Sequence, residues 1–237
     1  YEPAVVRKGL ADLLQPLGGM ENFVSRGDVV LIKPNFLLSK AVAKAVTTHP
    51  EVILAVGEAA LNAGAAKVLV GDSPGFGSGL GVARKIGLAA PARETGLRLL
   101  DFNQAAVVEN PDGIRYKRFE LERTTLEVDK IINLAKVKTH QQMFLTLAVK
   151  NMFGCVVGVR KGAWHFEAGR DAEIFATMLL DLHYRLRPAL NILDGIIMME
   201  GNGPGSGDPR QLGLLMASVD AVALDRTMCE VLSLPLE

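Results

Sequence analysis

Cysteine is nearly absent: Cys155 and Cys229 are the only two in 237 residues, and neither belongs to a CxxC run. Such a chain cannot by itself ligate an iron–sulfur cluster or a cysteine-rich zinc site. Both thiols stand in apolar sequence, MFGCVVGV and TMCEVLSL, and are expected to be buried and reduced. Net charge is missing too, because 26 basic residues balance 26 acidic ones. That balance argues against gripping nucleic acid or an anionic membrane by bulk electrostatics. Aromatics make up 5% of the chain, so the core must be built from Ala, Val, Leu, Ile and Met. No apolar run approaches the ~20 residues that span a bilayer. No signal peptide is visible, and a cytoplasmic protein is expected. What remains, 49% hydrophobic and 22% charged, is the composition of a soluble globular domain rather than a disordered or fibrous one. The chain starts at Tyr1 and stops at Glu237 just after a helical pattern, so a piece truncated at its C-terminus is expected.

Short apolar strands alternate with helical patterns. Strands are predicted at 28–32, 67–70, 97–100, 130–134, 190–193 and 212–218, and helices at 4–17, 48–62, 83–86, 90–95, 143–153, 171–186 and 221–232. His49 or Thr48 caps the second helix and Pro50 suits its first turn. Residues 105–121 break the rhythm and read as a β-hairpin, and 154–169 is glycine-rich and reads as a loop. The expectation is a single α/β domain over 1–237. Its sheet is mostly parallel and twisted, with helices on both faces and the hairpin as an insertion.

Polar residues cluster just past the predicted strands: Lys33 and Asn35, Asp72 and Ser73, Lys136, Lys138 and His140, then Asp194 and Glu200. Parallel sheets bind ligands at that edge. Charge is also segregated. Between Lys130 and Phe166 stand six basic residues and no acid, whereas Leu190–Asp225 is acidic apart from Arg210. Lys150 lies in MFLTLAVKNMFGCVV with no charged neighbour in sequence, which is costly for a lysine unless it is paired or used. Lys136, Lys138 and His140 alternate, so an extended segment would point all of them to one side. Thr146 and Lys150 are four apart and would share a helix face. Such a set suits a phosphate or carboxylate, with His140 able to transfer protons.

Candidate catalytic residues are therefore His140, Lys138, Lys150 and Asp194. Candidate ligand-binding residues are Lys33, Asn35, Asp72, Ser73, Lys136, Thr146 and Asn151. Two loops of alternating glycines, 75–81 and 201–207, would let backbone N–H groups approach a ligand, and Gly201, Gly203 and Gly205 join the set. Neither loop matches a nucleotide-binding motif. A divalent metal would have to be assembled by folding, with His49, His165 and Glu200 as candidate ligands.

The motifs KPNF at 33–36, TTHP at 47–50, GDSP at 71–74, KVKTH at 136–140, TLAVKNMFG at 146–154, KGAWH at 161–165 and DGIIMMEGNGPGSGDPR at 194–210 occur in this order. Together they resemble the uncharacterised prokaryotic domain-of-unknown-function family 362 over almost the whole chain. Members are often fused to a ferredoxin-like domain with two [4Fe–4S] clusters, so the resemblance implies a redox setting. Without cluster-binding cysteines here, any cluster would sit on a missing segment or a partner. A looser analogy is with the nickel-pincer lactate racemase family. The reading is an enzyme, oxidoreductase-associated, that binds an anionic small molecule at the carboxyl edge of the sheet. Its rivals are an accessory module docking a ferredoxin-like partner and a metal- or cofactor-dependent isomerase.

Overall fold

A computed structural model describes residues 1–157, 160–168 and 171–235. In chain order the elements are α1 (Pro3–Leu14), β1 (Val29–Lys33), α2 (Pro50–Asn62), β2 (Lys67–Asp72), α3 (Gly79–Lys85), α4 (Ala89–Glu94), β3 (Arg98–Asp101), β4 (Ala105–Glu109), β5 (Arg118–Glu122), α5 (Thr124–Glu127), β6 (Lys130–His140), β7 (Phe144–Thr146), α6 (Ala148–Asn151), α7 (Arg160–Ala168), α8 (Ala172–Leu186), β8 (Leu190–Glu200), β9 (Asp208–Ser218) and α9 (Ala221–Val231). The central sheet runs β3-β2-β1-β6-β8-β9, with β7 paired to β6. All neighbours from β3 to β8 are parallel, while β9 and β7 pair antiparallel.

Alternation along the strands divides the core. Val30 and Ile32 of β1 join Val68, Val70, Ile132 and Leu134 against α1, α2, α3 and α4. Leu31, between them, joins Leu69 and Ile131 on the opposite face against Phe175, Met178 and Leu182 of α8. Strands buried on both faces read as continuous apolar runs, which is why VVLI, KVLV and KIINL were legible as strands. The α/β sheet with helices around it is as expected.

The chain leaves β1, builds β2 and β3 outward on one side, then returns to β6 on the other side of β1. Strand order reverses there, so the loops after β1 and β6 part and open a crevice beyond their carboxyl ends.

The expected hairpin insertion is present and pairs β4 with β5 antiparallel as a separate two-stranded sheet. Four local readings need correction. The strand predicted to end at 134 runs on as β6 to His140, because β7 folds back and pairs with it, His140 opposite Phe144 and Lys138 opposite Thr146. The predicted helix over 143–153 is therefore β7 followed by the short α6 and a 3₁₀ turn, so Thr146 and Lys150 share no helix face. Much of the predicted 154–169 loop is α7, and the first glycine run ends inside α3, capped by Ser78. Gly169 lies outside the described residues.

Asp181, buried on α8, pins the hairpin turn by accepting the backbone N–H groups of Ile114, Arg115 and Tyr116 at 2.6, 2.9 and 2.8 Å. Asp181→Ala would strand those donors, and a loss of about 3 kcal/mol in urea denaturation is expected. The central sheet, which the hairpin does not join, should keep its fold.

Candidate functional site

β1 ends in Lys33 and β2 in Asp72, both fully enclosed, with Lys33 Nζ 2.9 Å from Asp72 Oδ1. Lys33 also donates to Pro34 O at 2.8 Å and to Asn151 Oδ1 at 3.2 Å. The other Asp72 oxygen accepts the Phe36 N–H at 2.6 Å, so the carboxylate ties the β1 loop to β2. Gly154 passes directly over this pair. A Cβ there would overlap Asp72 Oδ1 and Lys33 Nζ, so only glycine lets the backbone close on them.

Asn35 and Asn151 extend the network. Asn35 Nδ2 donates to Asn151 Oδ1 at 2.9 Å, and Asn35 Oδ1 accepts from Lys138 Nζ at 2.6 Å. Lys138 donates also to Val46 O at 2.7 Å. It has no carboxylate partner among the described residues, and burial followed by repulsion from Lys150 pushes its pKa well below the usual lysine range. Lys150 has no ion-pair or hydrogen-bond partner among the described residues. Its ammonium lies 5.8 and 5.9 Å from the ring centroids of Phe153 and Phe175. Burial, then the Lys33 and Lys161 charges, lowers its pKa to about 8. Lys161 on α7 donates to Ser73 O and is likewise lowered to about 8, chiefly by burial.

These side chains surround a cavity of about 220 Å³, lined also by Ser73, His140, Thr146 and His165. Four lysines (Lys33, Lys138, Lys150, Lys161) face one carboxylate, Asp72. Thr146 Oγ1 is buried and has no hydrogen-bond partner, which is rare for an interior hydroxyl. His140 is lowered to about 3 and His165 is lowered as well, each first by burial and next by Lys150. The site can hold an anion, hydrogen-bond it and offer neutral imidazoles.

A family model described as "Domain of unknown function (DUF362)" matches residues 30–230. The chain belongs to this family. A Synechocystis sp. protein named as thylakoid-associated is 43% identical over 234 residues, covering 99% of this chain and 72% of its own length. Among solved structures, a Thermotoga maritima protein from a structural genomics programme superposes with TM-score 0.57 at 13% identity over 98% of this chain. The lactate racemase apoprotein of Thermoanaerobacterium thermosaccharolyticum gives TM-score 0.57 at 12% identity over 97% of this chain. The chain spans 59% and 55% of those two longer chains, and at such identities the likeness is one of fold.

In this DUF362 chain, the cavity gathers Lys33, Asn35, Asp72, Ser73, Lys138, His140, Thr146, Lys150 and Asn151 from the residues singled out by sequence. His165 joins them, as a cavity-wall imidazole. Lys136 and Asp194 lie elsewhere. The pairing of β6 with β8 shifts register after Lys136, which stands opposite Asp194, whereas Lys138 stands opposite Met199. Lys136 is held by Asp194 at 3.0 Å and by the Tyr1 hydroxyl at 2.8 Å, in a closed network. Asp194 also accepts the Tyr1 hydroxyl and the His49 N–H, leaving it no route to the cavity. His49 caps α2 and stacks on Tyr1 with ring centroids 3.6 Å apart. Glu200 is exposed and pairs with Arg210 at 2.8 Å. His49, His165 and Glu200 therefore do not converge, and no group of three His, Cys, Asp or Glu among the described residues is placed to hold a metal.

Of the second glycine loop only Pro204 reaches the cavity. Gly203 is instead pressed on the Thr139 backbone, and Gly205 O accepts from Lys40 at 2.6 Å. Lys161 is the lining lysine that the sequence reading left out. Its signal was present, since Lys161 and His165 are four apart and share a face once 160–168 is a helix. No helix among the described residues is long and apolar enough to cross a membrane.

Removing one partner of a buried ion pair is expected to cost about 3–5 kcal/mol, more than removing both. Asp72→Ala should thus be the more destabilised protein, and Asp72→Ala combined with Lys33→Met should recover part of the loss in chemical denaturation. The pH dependence has a definite sign. Lys150 and Lys161 release protons near pH 8 when folded but only near 10.5 when unfolded. Above about pH 8 the unfolded chain binds more protons, so their contribution to stability rises with pH. The gain between pH 7.5 and 9.5 should shrink in Lys150→Met, read as the difference in thermal midpoint.

Proposed function

We propose that this protein is an enzyme whose cavity, beyond the carboxyl ends of β1 and β6, binds a small anionic substrate. The observation that carries the reading is the imbalance of four lining lysines, Lys33 and Lys138 buried and Lys150 and Lys161 half-buried, against one carboxylate, with Lys150 unpaired and Thr146 Oγ1 without a partner among the described residues. Lys138, Lys150 and Lys161 are pushed toward neutrality, first by burial and then by neighbouring lysine charges. An anion relieves the repulsion and restores their charge, so binding should take up protons. About 220 Å³ is room for roughly seven waters, which suits a small carboxylate or phosphate rather than a nucleotide.

The finer reading is that the reaction is redox-linked and served by a ferredoxin-like partner. It rests on the family resemblance and on cysteine content: two cysteines cannot hold a [4Fe–4S] cluster, so the electron carrier would be another segment or chain. The thylakoid association named for the Synechocystis relative agrees with work beside a membrane. A module that only docks a partner would have no need of a cavity lined by four lysines.

Thermal-shift titration with phosphate and with pyruvate, against chloride at equal ionic strength, tests the anion site. Either anion should raise the melting midpoint, and apparent affinity should fall as pH rises through about 8, where Lys150 and Lys161 lose their protons. Lys150→Met should weaken binding by roughly 10- to 100-fold, the loss of one charge-assisted contact. Equal midpoints in all three salts would remove the reading. Ferredoxin titration by calorimetry decides the partner separately.

A further inference from the structure

The two histidines of the cavity wall touch one residue, Gln142, in different ways. His140 Nδ1 lies 3.2 Å from the Gln142 backbone N–H and 3.3 Å from that of Met143. A backbone N–H can only donate, so His140 Nδ1 is an acceptor and its proton sits on Nε2. The Gln142 side chain acts the other way. Its Oε1 can only accept, and His165 Nδ1 lies 2.9 Å from it, so Nδ1–H donates and His165 Nε2 is bare. Neither Nε2 has a hydrogen-bond partner among the described residues, and both rings line the cavity. The His165 ring is held edge-on to Phe153 at 5.1 Å and tilted on Phe175 at 4.9 Å, which fixes its direction.

We propose that Gln142 sets opposite tautomers on these histidines, making His165 a proton acceptor and His140 a neutral hydrogen-bond donor for deprotonating a small 2-oxo carboxylate beside its carbonyl. The proposal rests on the anion site above and assigns its chemistry. The lysines suit the carboxylate. His165 Nε2 takes the proton from the carbon next to the carbonyl. The C–H electron pair becomes the C=C bond of an enolate while the carbonyl pair moves onto oxygen. The His140 Nε2–H and the neighbouring ammonium groups meet that charge. Return of the proton from His165 restores the acid, so no oxidant, reductant or leaving group is needed. Both rings are neutral around pH 7, which suits these roles: a neutral imidazole can polarise a carbonyl without giving up its proton. The charge of the bound acid offsets Lys150 and Lys161, and His165 becomes a better base only when substrate is present.

Long-range proton–nitrogen NMR on nitrogen-15-labelled protein reads the tautomers directly, with His140→Gln and His165→Gln assigning the signals. At pH 7, His140 should show a protonated Nε2 and His165 a protonated Nδ1. The same tautomer on both, or a charged ring, overturns the proposal. In Gln142→Leu, His165 should lose its preference while His140, held by backbone, keeps its own; no change at His165 overturns the part given to Gln142. In deuterium oxide the wild-type protein should exchange the methyl protons of pyruvate above the buffer rate. His165→Gln should lower that rate by roughly 100-fold, and His140→Phe by a similar factor. Opposite tautomers without exchange overturn the base assignment. Absence of a thermal shift with both phosphate and pyruvate would instead sink the anion site and leave the tautomers standing, whereas a shift with phosphate alone overturns the 2-oxo carboxylate assignment, so the failures are distinguishable.

Discussion

A lysine ammonium shut away from water at the end of a parallel strand needs a counter-charge, and for Lys33 that is Asp72 on the adjacent strand. The pair does more than neutralise itself. Through Phe36 and Ser73 it holds the loops after β1 and β2, and through Asn151 it fastens α6 beneath the cavity. Gly154 closes over it because no side chain fits. The cavity therefore has a rigid floor whose charge is already spent. Lys138, Lys150 and Lys161, which have no carboxylate of their own among the described residues, give the walls their excess.

That excess is sustainable only because the rest of the fold supports it. Lys138 is bound by two neutral oxygens, Asn35 Oδ1 and Val46 O, which hold it in place without cancelling its charge. Lys150 lies against aromatic faces, a weaker and desolvated support. Below, α6 is seated by Asp225, which accepts the Ala148 and Val149 N–H groups at 2.8 and 3.0 Å. Stability is thus spread over the framework while electrostatic strain is concentrated in the cavity, the usual division between scaffold and site.

A second buried lysine shows what a purely structural solution looks like. Lys136 stands two residues from Lys138 on the same strand, yet it has a carboxylate of its own, Asp194, and donates also to the Tyr1 hydroxyl. Alternation in sequence treats these lysines as equals. Partners separate them, and the nearest carboxylates come from β2 and β8, far away along the chain.

The sequence by itself determined the elements whose signal is local. Apolar runs buried on both faces marked β1, β2 and β8, and His49-Pro50 and Asp171 marked the starts of α2 and α8. The clustering of Lys33, Asn35, Asp72, Lys138 and His140 at one edge followed from their places just after apolar runs, since a parallel sheet brings those ends together. Tertiary structure alone decided the rest. β7 carried the strand predicted at 130–134 on to His140 by pairing with it, a contact that periodicity does not record. The register shift against β8 sent Asp194 to Lys136 and away from the cavity. Helical packing of 160–168 brought Lys161 and His165 onto the wall. Each depends on which distant group arrives within hydrogen-bonding reach, and that is a property of the folded chain.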